Sequence, residues 1–506
     1  MNNLVKLVLL SVLFSPILLN LFDLVFVLSN DYDSLNYFFK SYTQNLIKNS
    51  FLLSTTVTVI SILMGAVMST IFFAISSKNL RYIYIMLIFI FFAIEPIIYL
   101  SAFNTNSLFN SISAFWQSSI ILSFSMSALS GLVFIFALSS LNQESIKTAL
   151  MVASKRDVFK LILKPQLLFI LSVSFFIFFI LVFSRSEVPS ILGYRTYAED
   201  FLAQVFLMDE IKSSAIAAMP FYLLALLISL FVAFFMKKYH IKFSIKEQIN
   251  FLVIDSLDQY TVKAFFLFLT ILLGAILTLL VKKIDFYLLG DLIEDNIFII
   301  LNSLIVSLVV SVLTLVFSLF IYKTVKEFKS RLLIYGVIFL IFLIFLTPST
   351  LIAFEIIKMM QFINIHTEFI EYLFFILASS FKLIPLAVLL VSILYYRDVE
   401  DESLQFFNIT AKDYFLKITI QTYAKRWLFI VMIISVFALN ELSMAILLTP
   451  IGFEMIIIKI YNLLHYGDTS TVTFLSLMQI VIIASFLMIV WRIVDKVEKK
   501  KMDTRG

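Results

Sequence analysis

The chain contains no cysteine, which excludes disulfides, thiolate metal sites and cysteine nucleophiles. Its nine glycines, at 65, 131, 193, 274, 290, 336, 452, 467 and 506, nowhere take the Gly-x-x-x-x-Gly-Lys spacing whose backbone amides cradle nucleotide phosphates. The three histidines, His240, His366 and His465, are far apart and fall in three different loops. None stands in a His-Glu-x-x-His pattern, so each reads as an ordinary loop residue. Charge is scarce as well: 14% of residues are Asp, Glu, Lys or Arg, against about 25% in soluble domains. No metal ligand set, catalytic constellation or nucleotide site emerges, and a soluble fold is disfavoured.

What the chain has is apolar sequence, 61% of its 506 residues. Many runs reach the roughly 20 residues that cross a hydrocarbon core as a helix. Because lipid-exposed backbone must satisfy its own hydrogen bonds, continuous rather than alternating apolar runs select helices over a barrel. The expected fold is therefore an all-α polytopic membrane protein with about twelve spans: 5–28, 49–76, 82–103, 113–140, 167–184, 214–236, 264–281, 298–322, 332–354, 372–394, 428–446 and 473–491. The first span exceeds 20 residues and has no small-residue cleavage site at its end, so it reads as a retained anchor.

Basic residues give orientation. With the N-terminus inside, the cytoplasmic segments hold 28 Lys and Arg, the outer segments nine, and Lys382 lies within a span. That asymmetry predicts both termini in the cytoplasm and an even span count. The net charge of +5 is spread over loops and is no nucleic-acid signal.

The chain repeats itself at about half its length. Residues 155–162 read Lys-Arg-Asp-Val-Phe-Lys-Leu-Ile and residues 411–418 read Ala-Lys-Asp-Tyr-Phe-Leu-Lys-Ile. Asn49-Ser50 matches Asn302-Ser303, Pro96 matches Pro348, and Glu187 matches Glu441, so the landmarks recur at offsets of 252–256. Six spans separate the copies, which gives two parallel six-helix repeats with a pathway between halves. The division that follows is 1–48 (first span and outer loop), 49–236 (first transmembrane domain), 237–301 (cytoplasmic linker and seventh span), 302–491 (second transmembrane domain) and 492–506 (basic cytoplasmic tail).

Ionisable groups inside a membrane span are functional candidates by default. Asp23 lies near the outer end of the first span, Glu95 precedes Pro96, and Lys382 sits in Phe-Lys-Leu-Ile-Pro. Lys382 reads either as a structural partner for a nearby carboxylate or carbonyl, or as a pathway residue near an anionic or chelated substrate. With Glu187 and Glu441 at span ends, Glu95 and Lys382 form the candidate pathway or gating set. No dense acidic relay of the kind that serves ion coupling is visible.

The two polar loops carry apolar positions at helical spacing, suited to short amphipathic helices that insert into a groove on a cytosolic partner, with Phe159 and Phe415 as anchors. These loops resemble the EAA loops of ABC importer permeases, in which Glu-Ala-Ala, three residues and Gly precede Ile-x-Leu-Pro. In the second loop Glu402, Ser403, Leu404, Asn408 and Ile418 fall on that pattern, with Gln421 in place of the Pro. In the first, Phe159, Ile162 and Pro165 keep its end, Ile146 stands where the Glu is expected with Glu144 two residues earlier, and Val152 replaces the Gly with Ala153 beside it. The set the resemblance marks for ATPase coupling is Glu144, Ala153, Arg156, Asp157, Phe159, Ile162, Glu402, Asn408, Lys412, Asp413, Phe415 and Ile418.

Extended over both halves, the resemblance is to the fused, binding-protein-dependent permeases of the ferric-iron and thiamine type, with the type I importer fold. It implies a transport subunit rather than an enzyme. ATP would be held and hydrolysed by two separate ATPase subunits, no cofactor would be bound by this chain, and a periplasmic or lipid-anchored binding protein would deliver substrate. The location implied is the bacterial inner membrane. The Glu187 and Glu441 segments are more similar to the iron group. The alternatives are an ion-coupled secondary carrier of two six-span halves and a membrane-embedded transferase.

Overall fold

The computed structural model describes residues 10, 14–16, 22, 32–75, 77–104, 107–139, 148, 151–152, 154–158, 160, 164–207, 211–239, 259–328, 330–363, 367–395 and 420–503. Among the described residues there are helices and turns and no strands. Seven helices among the described residues are long and apolar enough to cross a membrane, or up to ten spans if each of three bent pairs is one span. The chain is thus a multi-pass, all-α membrane protein. It divides into two compact units, Tyr32–Ile284, and Asp285–Gly506 together with Met1–Asp31.

The unit Tyr32–Ile284 runs α1 (Ser41–Ala74), α2 (Lys78–Ala93), α3 (Pro96–Phe103), α4 (Ala114–Ser139), α5 (Lys164–Phe183), α6 (Glu187–Ile191), α7 (Tyr197–Leu207), α8 (Ile211–Tyr239) and α9 (Gln259–Val281). The other unit runs α10 (Leu289–Glu327), α11 (Arg331–Leu346), α12 (Ser349–Ile363), α13 (Glu368–Tyr395), α14 (Ile420–Leu439), α15 (Leu442–Leu448), α16 (Ile456–Tyr466) and α17 (Thr469–Asp503). In both, a long helix is followed by a bent pair, two further long helices, a short helix, an eleven-residue helix and a last long helix. The seventh span, α9, packs on α1, α2 and α3 within the unit Tyr32–Ile284.

Three stretches that read as continuous spans are bent. The α2–α3 pair turns by 81°, α11–α12 by 99° and α14–α15 by 65°. Proline accounts for the first two. Pro96 occupies the first turn of α3, where its missing N–H costs nothing, while it denies the α region to the residue before it. Pro348 stands just before α12 and has the same effect on Thr347, whose backbone is extended. Elsewhere a helix ends at a glycine that takes the left-handed conformation: Gly467, at φ 80°, closes α16 through its N–H to the Leu463 carbonyl at 3.0 Å.

Apolar burial cannot drive helix association in lipid, so small residues and hydroxyls line the contacts. On α1, Ser50, Ser54, Thr58, Ser61, Gly65 and Ser69 are buried, and α1 packs along α4, itself lined with buried serines. Gly65 lies so near α4 that a Cβ there would fall on the Ser130 side chain and within 2.7 Å of the Gly131 nitrogen. On α10 the buried row is Ser303, Ser307, Ser311, Thr314 and Ser318. Ser435 of α14 donates to the Ser311 hydroxyl at 2.9 Å, and Ser380 of α13 donates to the Val310 carbonyl at 3.3 Å.

Candidate functional site: charged groups at the helix breaks

A broken helix inside a membrane exposes carbonyls at one fragment's end and N–H groups at the next fragment's start. Such backbone persists only where protein groups satisfy it or where it lines a cavity. Three of the charged side chains that the sequence singles out, Glu95, Lys382 and Glu441, sit at or beside these breaks.

At the α2–α3 break, Glu95 is the residue just before α3 and is buried at 7% exposure. Its carboxylate pairs with the guanidinium of Arg185, which follows α5. The arrangement complements both helix dipoles, an anion at the start of α3 and a cation past the end of α5. A carboxylate at that depth would be costly without such a partner. Tyr99 donates from its hydroxyl to the Phe91 carbonyl at 2.6 Å, covering an acceptor near the bend. At the far end of α3, the Lys283 ammonium donates to the carbonyls of Ser101 at 2.6 Å and Ala102 at 3.0 Å. Burial holds the Lys283 pKa below the ordinary lysine value.

In the other unit, Lys382 projects from the middle of α13 to the α11–α12 break. Its ammonium donates to the carbonyls of Thr347 at 2.6 Å, Phe345 at 3.1 Å and Ile344 at 3.4 Å. These are the terminal acceptors of α11, the negative end of its dipole. The Thr347 hydroxyl covers a fourth carbonyl, that of Leu343, at 2.7 Å. On α12, buried Glu355 pairs with Lys358 at 2.6 Å, and the Lys358 ammonium lies 4.5 Å from the centre of the Phe354 ring. At the α14–α15 break, Gln479 of α17 donates to the Asn440 side-chain oxygen at 2.7 Å. Glu441 lies half-buried at the start of α15, and Glu187 is buried at the start of α6.

The Asn-Ser landmarks have a structural use. Ser50 accepts the backbone N–H of Tyr197, the first residue of α7, at 2.7 Å. Ser303 accepts the N–H of Ile456, the first residue of α16, at 2.8 Å. Each long helix thus satisfies the start of the eleven-residue helix of its own unit. Around α7, Asp200 gathers the Tyr37 hydroxyl at 2.7 Å, the Gln204 amide at 2.8 Å and the Tyr42 hydroxyl at 3.3 Å. Burial, reinforced by Asp200, raises the Tyr37 pKa. Burial also raises that of Glu199, and Asp200 adds to the shift.

Of the predicted residues, Glu95 meets Arg185 and Lys382 meets the α11 carbonyls. Arg156 and Asp157 are exposed on the one-turn helix Lys155–Val158, where Ser154 and Asp157 share a 2.6 Å hydrogen bond. Glu144, Ala153, Phe159 and Ile162 lie outside the described residues, as do Glu402, Asn408, Lys412, Asp413, Phe415, Ile418 and Asp23. Among the described residues no three His, Asp or Glu side chains are grouped to hold a metal ion. Sequence reasoning missed Arg185 and Lys283, taking both as outer-loop charges. Their signal was position: Arg185 stands two residues before Glu187, and Lys283 two residues past an apolar run. A scan against protein-family models and searches of curated proteins and of solved structures found no match.

Proposed function

We propose that the chain is the transmembrane permease subunit of an ATP-driven ABC importer. It would have the type I importer fold, built as two parallel six-helix repeats with twelve spans in all. The observation that carries this reading is the pair of equivalent contacts, Ser50 with Tyr197 and Ser303 with Ile456, set in the same order of helices in each unit. A duplicated membrane core with a polar loop at the same place in each copy suits two identical drivers. The chain would form the translocation pathway and bind no cofactor itself. Two ATPase subunits would dock on the loops around Phe159 and Phe415, and their closure on ATP would favour one state of the pathway through contacts that the other state lacks. A binding protein would deliver the substrate, ferric iron or a similar small solute. Selectivity would rest mainly on that protein. Both termini would lie in the cytoplasm of a bacterial cell.

The test is co-expression with an ATPase that carries a Gly-x-x-x-x-Gly-Lys loop and is encoded beside this chain. Phe159→Ala combined with Phe415→Ala should abolish both co-purification and uptake while the permease still reaches the membrane. Intact uptake in that variant would sink the docking reading. A second reading, an ion-coupled secondary carrier, is favoured by the buried carboxylate of Glu95. It requires uptake driven by an ion gradient with no ATPase present.

A further inference from the structure

We propose that the carbonyls at the α11–α12 break form a cation site, and that Lys382 fills it with a cation carried on the chain itself. A ring of backbone carbonyls at the C-terminal end of an interrupted membrane helix is the chemistry that holds alkali-metal ions in broken-helix transporters and channels. Here the oxygens of Thr347, Phe345 and Ile344 converge at 2.6, 3.1 and 3.4 Å on one ammonium nitrogen.

Three features make the site more than a chance contact. The α11–α12 bend of 99° turns the last carbonyls of α11 out of their own helix. The negative end of the α11 dipole adds to the field at that point. Lys382 comes from a different helix, α13, with Pro385 three residues on and Ser379 and Ser380 buried just before it, so the ammonium is delivered by a packed element and not by a loose surface side chain. Backbone carbonyls are the ligands with which such sites hold alkali-metal ions. A tethered ammonium gives up side-chain rotamer freedom but not the translational freedom of a captured ion, and it frees the bend from dependence on salt composition. Removing it should leave oxygens that recruit K⁺ or Na⁺ from solution.

The inference goes beyond the importer reading, and its test needs no ATPase and no substrate, so failure of one leaves the other standing. Full-length wild-type protein, Lys382→Gln and Lys382→Ala are unfolded thermally in detergent, in choline, sodium and potassium chloride at equal ionic strength. The wild-type midpoint should be the same in all three salts. Both variants should melt lower than wild type in choline and regain about 2–4 °C, saturably, in sodium or potassium chloride. Methylammonium chloride, which returns the missing group, should rescue Lys382→Ala. Variants whose midpoints ignore the cation, or that yield no folded protein in any salt, would overturn the proposal. A wild-type midpoint that moves with the cation as much as the variants' would overturn it too.

Discussion

The Ser303 hydroxyl of α10 accepts the backbone N–H of Ile456 at 2.8 Å, and so caps a helix that begins 153 residues later in the chain. Ser50 does the same for Tyr197 across 147 residues. Both serines are buried, at 1% and 2% exposure, so neither N–H has water as a substitute. Ser303→Ala and Ser50→Ala should each cost about 1–2 kcal/mol, as for the loss of a helix cap. Unfolding in detergent checks the value. Because the two contacts lie in separate units, the double variant should lose the sum of the two.

Glu95 and Arg185 constrain each other more strongly. Glu95→Gln or Arg185→Met alone removes one charge of a largely buried pair. Each should cost about 2–3 kcal/mol, below the range for fully buried pairs because Arg185 keeps some exposure. The combined variant should recover much of that loss, since an apolar and a neutral side chain leave no buried charge. A double-mutant cycle on thermal stability measures the coupling, and strictly additive losses would rule it out.

Small residues on α1 and α4 give a steric prediction. Gly65→Ala drives a methyl group onto Ser130 and toward the Gly131 backbone, which cannot move aside as a flexible side chain would. It should destabilise the protein by about 1–3 kcal/mol. Gly131→Ala meets the Met68 Cβ at 3.1 Å and Sδ at 3.3 Å; the sulfur can swing aside and the Cβ contact needs only a small shift of the helices, so it should cost less. Gly274→Ala and Gly336→Ala meet nothing within 4 Å and should be neutral or stabilising by about 0.5–1 kcal/mol through helix propensity. Equal melting temperatures for all four variants would contradict the close approach of α1 and α4.

Glu199 sets a pH dependence. Burial raises its folded-state pKa and outweighs the lowering by the Thr196 backbone and the Arg195 charge, with Asp200 adding a smaller rise, so the folded protein holds this proton more tightly than the unfolded chain. Its favourable contribution is full below the ordinary carboxylate range, about pH 4, and is lost as pH rises through the raised value. Glu199→Gln should therefore stabilise the protein at neutral pH and change little at about pH 4. The stability difference between the two proteins, followed across that window, decides the point; a difference that stays constant with pH excludes the linkage.

The helical membrane class was legible because apolar runs of span length leave few alternatives. The positions of Pro96 and Pro348 were legible as landmarks, yet not the 81° and 99° bends beside them, because a hydropathy window counts residues and is blind to the direction of the chain. The Asn-Ser pairs were visible as a repeat, but their use as caps depends on Tyr197 and Ile456, which lie far away in sequence. Lys382 stood out because a lone cation in an apolar helix is rare. Its carbonyl partners could not be read, since every residue has a carbonyl and only a broken helix frees one. Arg185 and Lys283 were hidden for the opposite reason: each stands just outside an apolar run, where charge is ordinary.

The unbroken length of α10 has a practical consequence. Its 39 residues make a rod of about 58 Å, nearly twice the roughly 30 Å hydrocarbon thickness. Asp291 and Lys323 are exposed near its two ends and should stay about 48 Å apart whatever the rest of the chain does. Since no native cysteine competes for label, a spin-label pair at those two positions gives this protein an internal standard of length. Any other pairwise distance can then be calibrated in the same sample, and a change in it assigned to motion and not to altered label behaviour.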